Sequence, residues 1–251
     1  MNPEHGQRAG SPAPRTCGTL YLIPVGLGGT DWPGFLPAQT QAIAARLTHF
    51  IVENARAARA HLKHIGYPQP LRDTDIQELP ENASAAALDA LLAPALQGDD
   101  IGLMSDAGCP AVADPGSRVV ARAHERGIAV APLVGPSSIL LGLMGSGLNG
   151  QSFAFHGYLP VAEAERDARI RGLEEESRRL DRTQIFIETP YRNERMLDAL
   201  LRLGHRETRL CIACDLTTPN EYIVTHPIDR WRRETRPALA KRPALFLLLA
   251  R

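Results

Sequence analysis

Between residues 100 and 144 the chain alternates in a way that few folds accommodate. Residues 100–104 are a compact apolar strand, and 105–113 are a loop of small and polar residues. Asp114 then caps a helix with Pro115 at its first position, where the missing N–H of proline costs nothing. That helix runs to Arg126 and stops at Gly127, the residue type that enters the left-handed region most easily. Residues 128–134 form the next strand, 135–138 a turn, and 139–144 open another helix. Strand, loop and helix repeated in this order place successive strands parallel, so the expected class is α/β.

The flanks extend this pattern and then change it. Upstream, residues 19–23 read as a first strand ending in Pro24, followed by Gly26, Gly28, Gly29 and the Trp32–Pro33 pair. A helix over 38–47, a strand over 49–52 and a helix over 53–64 follow, and Asn82 or Ser84 caps an alanine-rich helix reaching Leu96. Past Gly147, strands at 153–158, 185–187, 209–215, 222–225 and 244–249 surround helices at 163–180 and 193–203, which implies a second, mixed sheet. The expectation is two α/β domains, an N-terminal one over 16–134 with a mainly parallel sheet and a C-terminal one over 135–251 with a mixed sheet. Residues 1–15, polar and carrying Pro and Gly, are expected to be a disordered arm.

The charge balance disfavours extensive phosphate contact without excluding a local basic cleft. Lys+Arg and Asp+Glu both total 28, so no global field draws in nucleic acid or an anionic membrane. Only Lys63 and Lys241 are lysines; the arginine bias suits either an Arg-rich RNA surface or a GC-rich genome. Four cysteines are too few for a disulfide framework. Cys211 and Cys214 stand three apart on a strand and so point to opposite faces, which predicts buried reduced thiols and no metal site. The N-terminus has no apolar core for a signal peptide, and the longest apolar stretch, 244–250, is too short to span a bilayer. A cytoplasmic protein with no membrane association is expected.

In an open parallel sheet, ligands sit beyond the carboxyl ends of the strands. Those ends are 24–29, 105–116 and 135–138, all rich in Gly, Pro, Ser and Asp, so backbone can approach a ligand closely. Gly26-Leu-Gly28 lacks the third glycine and the immediate helix of a dinucleotide fingerprint, and no Walker loop exists. The carboxylates nearest the strand ends are Glu53, Asp106, Glu188 and Asp215. Each could act as a general acid or base, or, as with Asp106, only brace its own loop. Arg56 and Arg192 could grip a phosphate or carboxylate in bidentate fashion, or be solvated helix arginines.

Ser105-Asp-Ala-Gly-Cys-Pro-Ala-Val-Ala-Asp-Pro-Gly116 followed by Val134-Gly-Pro-Ser-Ser138 resembles the tetrapyrrole methylase superfamily. Within it the chain is most similar to the small-subunit ribosomal RNA cytidine 2'-O-methyltransferase group. Glu53-Asn-Ala-Arg56, Phe155-His-Gly-Tyr-Leu-Pro160, Ile187-Glu-Thr-Pro-Tyr-Arg192 and Ala213-Cys-Asp-Leu-Thr217 fall in the matching order. The resemblance implies a homodimer with S-adenosylmethionine folded into the cleft between the domains. It places Pro24, Ser105, Asp106, Ala107, Gly135, Pro136, Ser137 and Ala213 along the cofactor pocket, with His156 and Ala244 closing it. Glu53, Arg56 and Glu188 become the candidate catalytic residues. Three segments depart from the family pattern: the first loop Pro24-Val-Gly-Leu-Gly-Gly-Thr-Asp31, Asn54-Ala55 where Asp-Thr is usual, and Cys214 and Thr218, where basic residues are usual. The implied activity is methyl transfer to a ribose hydroxyl of RNA. The alternatives are a tetrapyrrole or other small-molecule acceptor, or an inactive module that binds S-adenosylmethionine or RNA.

Overall fold

The computed structural model describes residues 17–28 and 34–251. The arm expected over 1–15, and Gly29, Trp32 and Pro33 of the first loop, lie outside the described residues.

Four short apolar runs and one polar one build the N-terminal sheet. These are β1 (Thr19–Ile23), β2 (His49–Val52), β3 (Asp75–Glu78), β4 (Ile101–Met104) and β5 (Ala129–Pro132), all parallel in the order β3-β2-β4-β1-β5. Alternate side chains serve opposite faces. Leu20, Ile101 and Leu103 pack with Leu92 of α3 (Ala85–Leu96) and Val119 of α4 (Ser117–Glu125). Ile23, Phe50 and Val52 pack with Ala44 of α1 (Ala38–Arg46) and with Ala58 and Leu62 of α2 (Ala55–His64). Gly102 in the central strand leaves room for this layer: a Cβ there would lie 2.6 Å from Ile23 Cδ1 and 2.8 Å from Phe50 Cδ1.

Element starts differ from the sequence expectation where a side chain takes over a backbone bond. Helix α2 begins at Ala55, because the Asn54 side chain accepts from the N–H groups of Arg56 and Ala57 at 2.9 and 3.0 Å. The asparagine that replaces the family's usual Asp therefore keeps the cap. Helix α4 begins at Ser117, three residues after Asp114, and Asp114 is not its cap. Strand β3 carries no apolar alternation to announce it, being a polar edge strand held by β2.

The second half folds onto its own sheet. Strands β6 (Phe153–Tyr158), β7 (Thr183–Glu188), β8 (Arg209–Cys214), β9 (Tyr222–Pro227) and β10 (Ala244–Leu249) stand in the order β6-β7-β10-β8-β9. Only β6 and β7 pair in parallel, so the sheet is mixed. Strand β10, buried throughout, is its centre. On one face Phe186 and Phe246 stack at 5.8 Å beneath α6 (Glu163–Leu180) and α7 (Asn193–Leu203), and buried Trp231 of α8 (Ile228–Trp231) donates to the Leu210 carbonyl at 2.9 Å. On the other face Leu143 of α5 (Ser138–Ser146) covers Cys211, Ala213, Leu245 and Leu247. Cys211 and Cys214 occupy opposite faces as free thiols, and burial pushes each up to about 11. No described helix is long and apolar enough to cross a membrane.

Candidate functional site

The carboxyl ends of the parallel strands open onto a cavity of about 380 Å³, and the edge of the mixed sheet forms its other wall. That volume lies in the range that holds a small cofactor. The chain leaves β1 toward β2 on one side and leaves β4 toward β5 on the other, so the loops after β1 and β4 flank the point where the winding reverses.

These loops are locked to each other by backbone. The N–H of Val25 donates to the carbonyl of Gly108 at 2.9 Å. A Cβ on Gly135 would fall 2.3 Å from Pro24 Cβ, so only glycine allows the loops to meet there. The Cys109 thiol donates to the Pro136 carbonyl at 3.4 Å. Pro24, Gly135 and Pro136 thus hold the loops from behind, while Ser137, Ser105, Asp106 and Ala107 face the cavity.

Glu53, at the end of β2, reaches across to this loop: its Oε2 accepts from the Asp106 N–H at 2.8 Å. His61 Nε2 approaches the Asp106 carbonyl at 3.2 Å from α2. Burial raises the Glu53 carboxyl above its ordinary value; the backbone bond to Asp106 opposes this, and the Asp114 and Asp106 carboxylates add to it. Asp114, a helix cap by its sequence position, has a different role. Its Oδ1 accepts from the N–H groups of Ala111 and Gly116 at 3.0 and 2.6 Å, and among the described residues its buried Oδ2 has no partner. Burial raises this carboxyl too. The same loop holds Ala111 and Ala113 at φ of 66° and 62°, a left-handed conformation that costs a non-glycine residue roughly 1–3 kcal/mol each.

The opposite wall is more apolar. Phe155, Ile187, Ala213, Ala244 and Leu245 line it, with Glu188 and Tyr158 as its polar members. Glu188 is buried, and its Oε2 accepts from the Thr189 N–H at 2.7 Å and from Arg192 at 2.6 Å. Arg192 therefore neutralises Glu188.

Eight of the residues named from sequence meet at the cavity: Glu53, Ser105, Asp106 and Ala107 from one domain, and Ser137, Glu188, Ala213 and Ala244 beyond them. His156 is turned to the other face of its sheet, bonded to Gln184 Oε1 at 2.5 Å and to Arg169 at 3.0 Å. Arg56 is exposed outside the cavity. Tyr158 escapes a reading by sequence for a physical reason. Gly157 at φ 62° and a shift in the β6–β7 register between Phe155 and Tyr158 break the alternation that would have assigned its face.

Two of the departures from the family pattern are neighbours in space. A Cβ on Gly28 would lie 3.2 Å from Thr218 Cγ2, so the altered first loop meets the altered segment after β8.

Two α/β domains face each other across an acidic, apolar-walled cleft of a size that holds a small cofactor. The family model for tetrapyrrole (corrin/porphyrin) methylases matches residues 19–230. Among the relatives, the ribosomal RNA small subunit methyltransferase I of Halalkalibacterium halodurans is 32% identical, covering 86% of this chain and 72% of its own. The protein of that name from Mesorhizobium japonicum is 36% identical over 82% of this chain and 66% of its own. Among solved structures, the methyltransferase CobJ superposes with a TM-score of 0.61 at 17% identity, covering 93% of this chain and 94% of its own. The cobalt precorrin-4 methyltransferase CbiF gives 0.60 at 13% identity, covering 95% and 98%. The chain belongs to the tetrapyrrole methylase family and is an S-adenosylmethionine-dependent methyltransferase.

The residues at the cavity fit that cofactor. Glu53, Asp106 and Asp114 line it beside the Arg192-paired Glu188, and among the described residues no arginine or lysine does. Such a set favours the cationic sulfonium and ammonium groups, the unpartnered Asp114 oxygen offers an acceptor, and the apolar wall suits a purine ring.

Proposed function

We propose that this methyltransferase acts on ribosomal RNA, methylating a ribose 2'-hydroxyl, and that it works as a cytoplasmic homodimer. The observation that carries the acceptor is the Glu53 carboxylate. A hydroxyl must lose a proton as it is methylated, and Glu53 is a cavity carboxylate whose proton affinity burial has raised. Its Oε2 is occupied by the Asp106 N–H, which orients the group and leaves Oε1 to take the proton. Glu188 is the weaker candidate, because the Arg192 guanidinium already satisfies it. Relatives named for ribosomal RNA, at 32% and 36% identity, support RNA over a tetrapyrrole, since the corrin enzymes share only 13–17%.

Bound S-adenosylmethionine supplies a methyl group already activated on a sulfonium. The chain's own part is then to align the acceptor, exclude water and withdraw one proton. In this reading Ser105, Asp106, Ala107, Ser137, Ala213 and Ala244 flank the cofactor, and Glu53 faces the acceptor. The division of the chain at 134/135 accords with the packing of α5 on the mixed sheet. The homodimer is supported by an uncovered apolar strip: Leu140 and Met144, one turn apart on α5, are 52% and 79% exposed, and neighbouring Val134 is 73% exposed.

Titration calorimetry with S-adenosylmethionine is expected to show one binding event per chain. Deleting the gene is expected to remove one 2'-O-methylated nucleoside from digested small-subunit ribosomal RNA. An unchanged nucleoside profile together with intact cofactor binding would move the acceptor to a small molecule.

A further inference from the structure

Helix α2 carries cations that no acid balances among the described residues. Arg56, Arg59 and Lys63 stand at i, i+3 and i+7, so they share one exposed stripe beside the face that buries Ala58 and Leu62. All three are exposed, α2 contains no carboxylate, and none of the three is in an ion pair among the described residues. Many other arginines are held by acids, among them Arg122 and Arg126 by Asp89, Arg202 by Asp167 and Arg242 by Asp215, while exposed Arg171, Arg179 and Arg195 on α6 and α7, like the stripe, are in no ion pair among the described residues. The stripe starts at the cavity rim, since Glu53 lines the cavity and Asn54 caps the helix.

The facing wall ends in exposed aromatic rings. Pro190 lines the cavity and the next residue, Tyr191, is 81% exposed; Tyr158, in the wall itself, is 57% exposed. The other three tyrosines are at least partly buried. Tyr191 sits on a braced turn, with the Arg192 N–H donating to the Thr189 carbonyl at 2.8 Å and the Arg192 side chain tied to Glu188.

We propose that a single-stranded segment of RNA crosses the mouth of the cleft, its phosphates along Arg56, Arg59 and Lys63 of α2 and a base stacked on Tyr191. This rests on the RNA reading above. The acidic lining repels phosphate from the cavity, so the backbone stays at the rim, where unpaired cations attract it. A neutral ribose can pass inward. Stacking on a protein ring needs an unpaired base, which selects single strand over duplex.

The test is fluorescence anisotropy with a labelled mixed-sequence oligoribonucleotide, single-stranded or annealed to its complement, across a salt series. Wild type is expected to prefer the single strand. Arg56→Gln, Arg59→Gln and Lys63→Gln combined should reduce the slope of log Kd against log salt by about 2, at roughly 0.7 for each phosphate no longer neutralised. Tyr191→Ala should weaken binding roughly tenfold, and Tyr191→Phe should restore it. All four positions are exposed, and a circular-dichroism melt checks that each variant is folded. An unchanged salt slope, an unchanged affinity in Tyr191→Ala, or equal binding of duplex overturns the proposal. If wild type nonetheless methylates ribosomal RNA from the deletion strain, the RNA reading stands and only this placement falls. If it transfers no methyl group to that RNA, both fall.

Discussion

Glu53 combines a fixed orientation with a raised proton affinity, and each has its own source. The Asp106 N–H fixes one oxygen, while burial and the nearby Asp114 and Asp106 carboxylates disfavour the charge. A base must be ionised to accept a proton, so activity should rise with pH through the raised value, placing the acid limb above the ordinary 4.5. Glu53→Gln keeps an acceptor for the Asp106 N–H but cannot take the proton. Single-turnover rates at saturating cofactor should fall by about 10²–10⁴. A Gln variant that keeps both its rate and its acid limb would remove Glu53 from the chemistry. Gly135 is a second test at this scale. The Cβ of Gly135→Ala would meet the rigid Pro24 ring at 2.3 Å, forcing the two loops apart at a cost of roughly 1–3 kcal/mol. Cofactor binding should weaken about tenfold by calorimetry; an unchanged Kd would show that the loops need not touch.

At the scale of elements, helices α3 and α4 are clamped by one carboxylate. Asp89 accepts from Arg122 Nε at 2.7 Å and from Arg126 Nε at 2.8 Å. Hydrogen bonds from these two guanidiniums hold its carboxyl well below the usual range. A carboxyl with a depressed folded-state pKa contributes its stability fully above the ordinary value of 3.8, and loses it as pH falls toward the folded value. Asp89→Asn should therefore lower the urea midpoint at pH 7, and the gap from wild type should narrow below about pH 4. Equal midpoints at pH 7 would mean that the clamp adds nothing. Helices α6 and α7 begin and end where the sequence places them, α7 through its apolar period. Strand β3 is not legible, because its polar Asp75–Glu78 run is recruited by β2 alone. Nor is the start of α4, where Asp114 spends its oxygen on the loop preceding the helix.

For the whole molecule, the proposed homodimer would bury α5 through the exposed apolar strip of Leu140, Met144 and Val134. Leu140→Lys with Met144→Lys is expected to convert a dimer to a monomer by sedimentation velocity, leaving the fold intact because both side chains already face solvent. A wild-type monomer at micromolar concentration would dismiss the dimer. By itself the sequence determined the two-sheet α/β plan, the Gly- and Ser-rich loops at the strand ends and the group of Glu53, Asp106, Glu188 and Asp215 beside them, of which the structure takes Asp215 out of the cavity lining and pairs it with Arg242. Those follow from local periodicity and from residues a few positions apart. Only the tertiary structure decided which of these act together. It set Glu53 against Asp106, bonded Arg192 to Glu188, turned His156 away and brought Tyr158 in past a bulge. Burial, charge coupling and strand register depend on distances between residues far apart in the chain, and no local pattern encodes those distances.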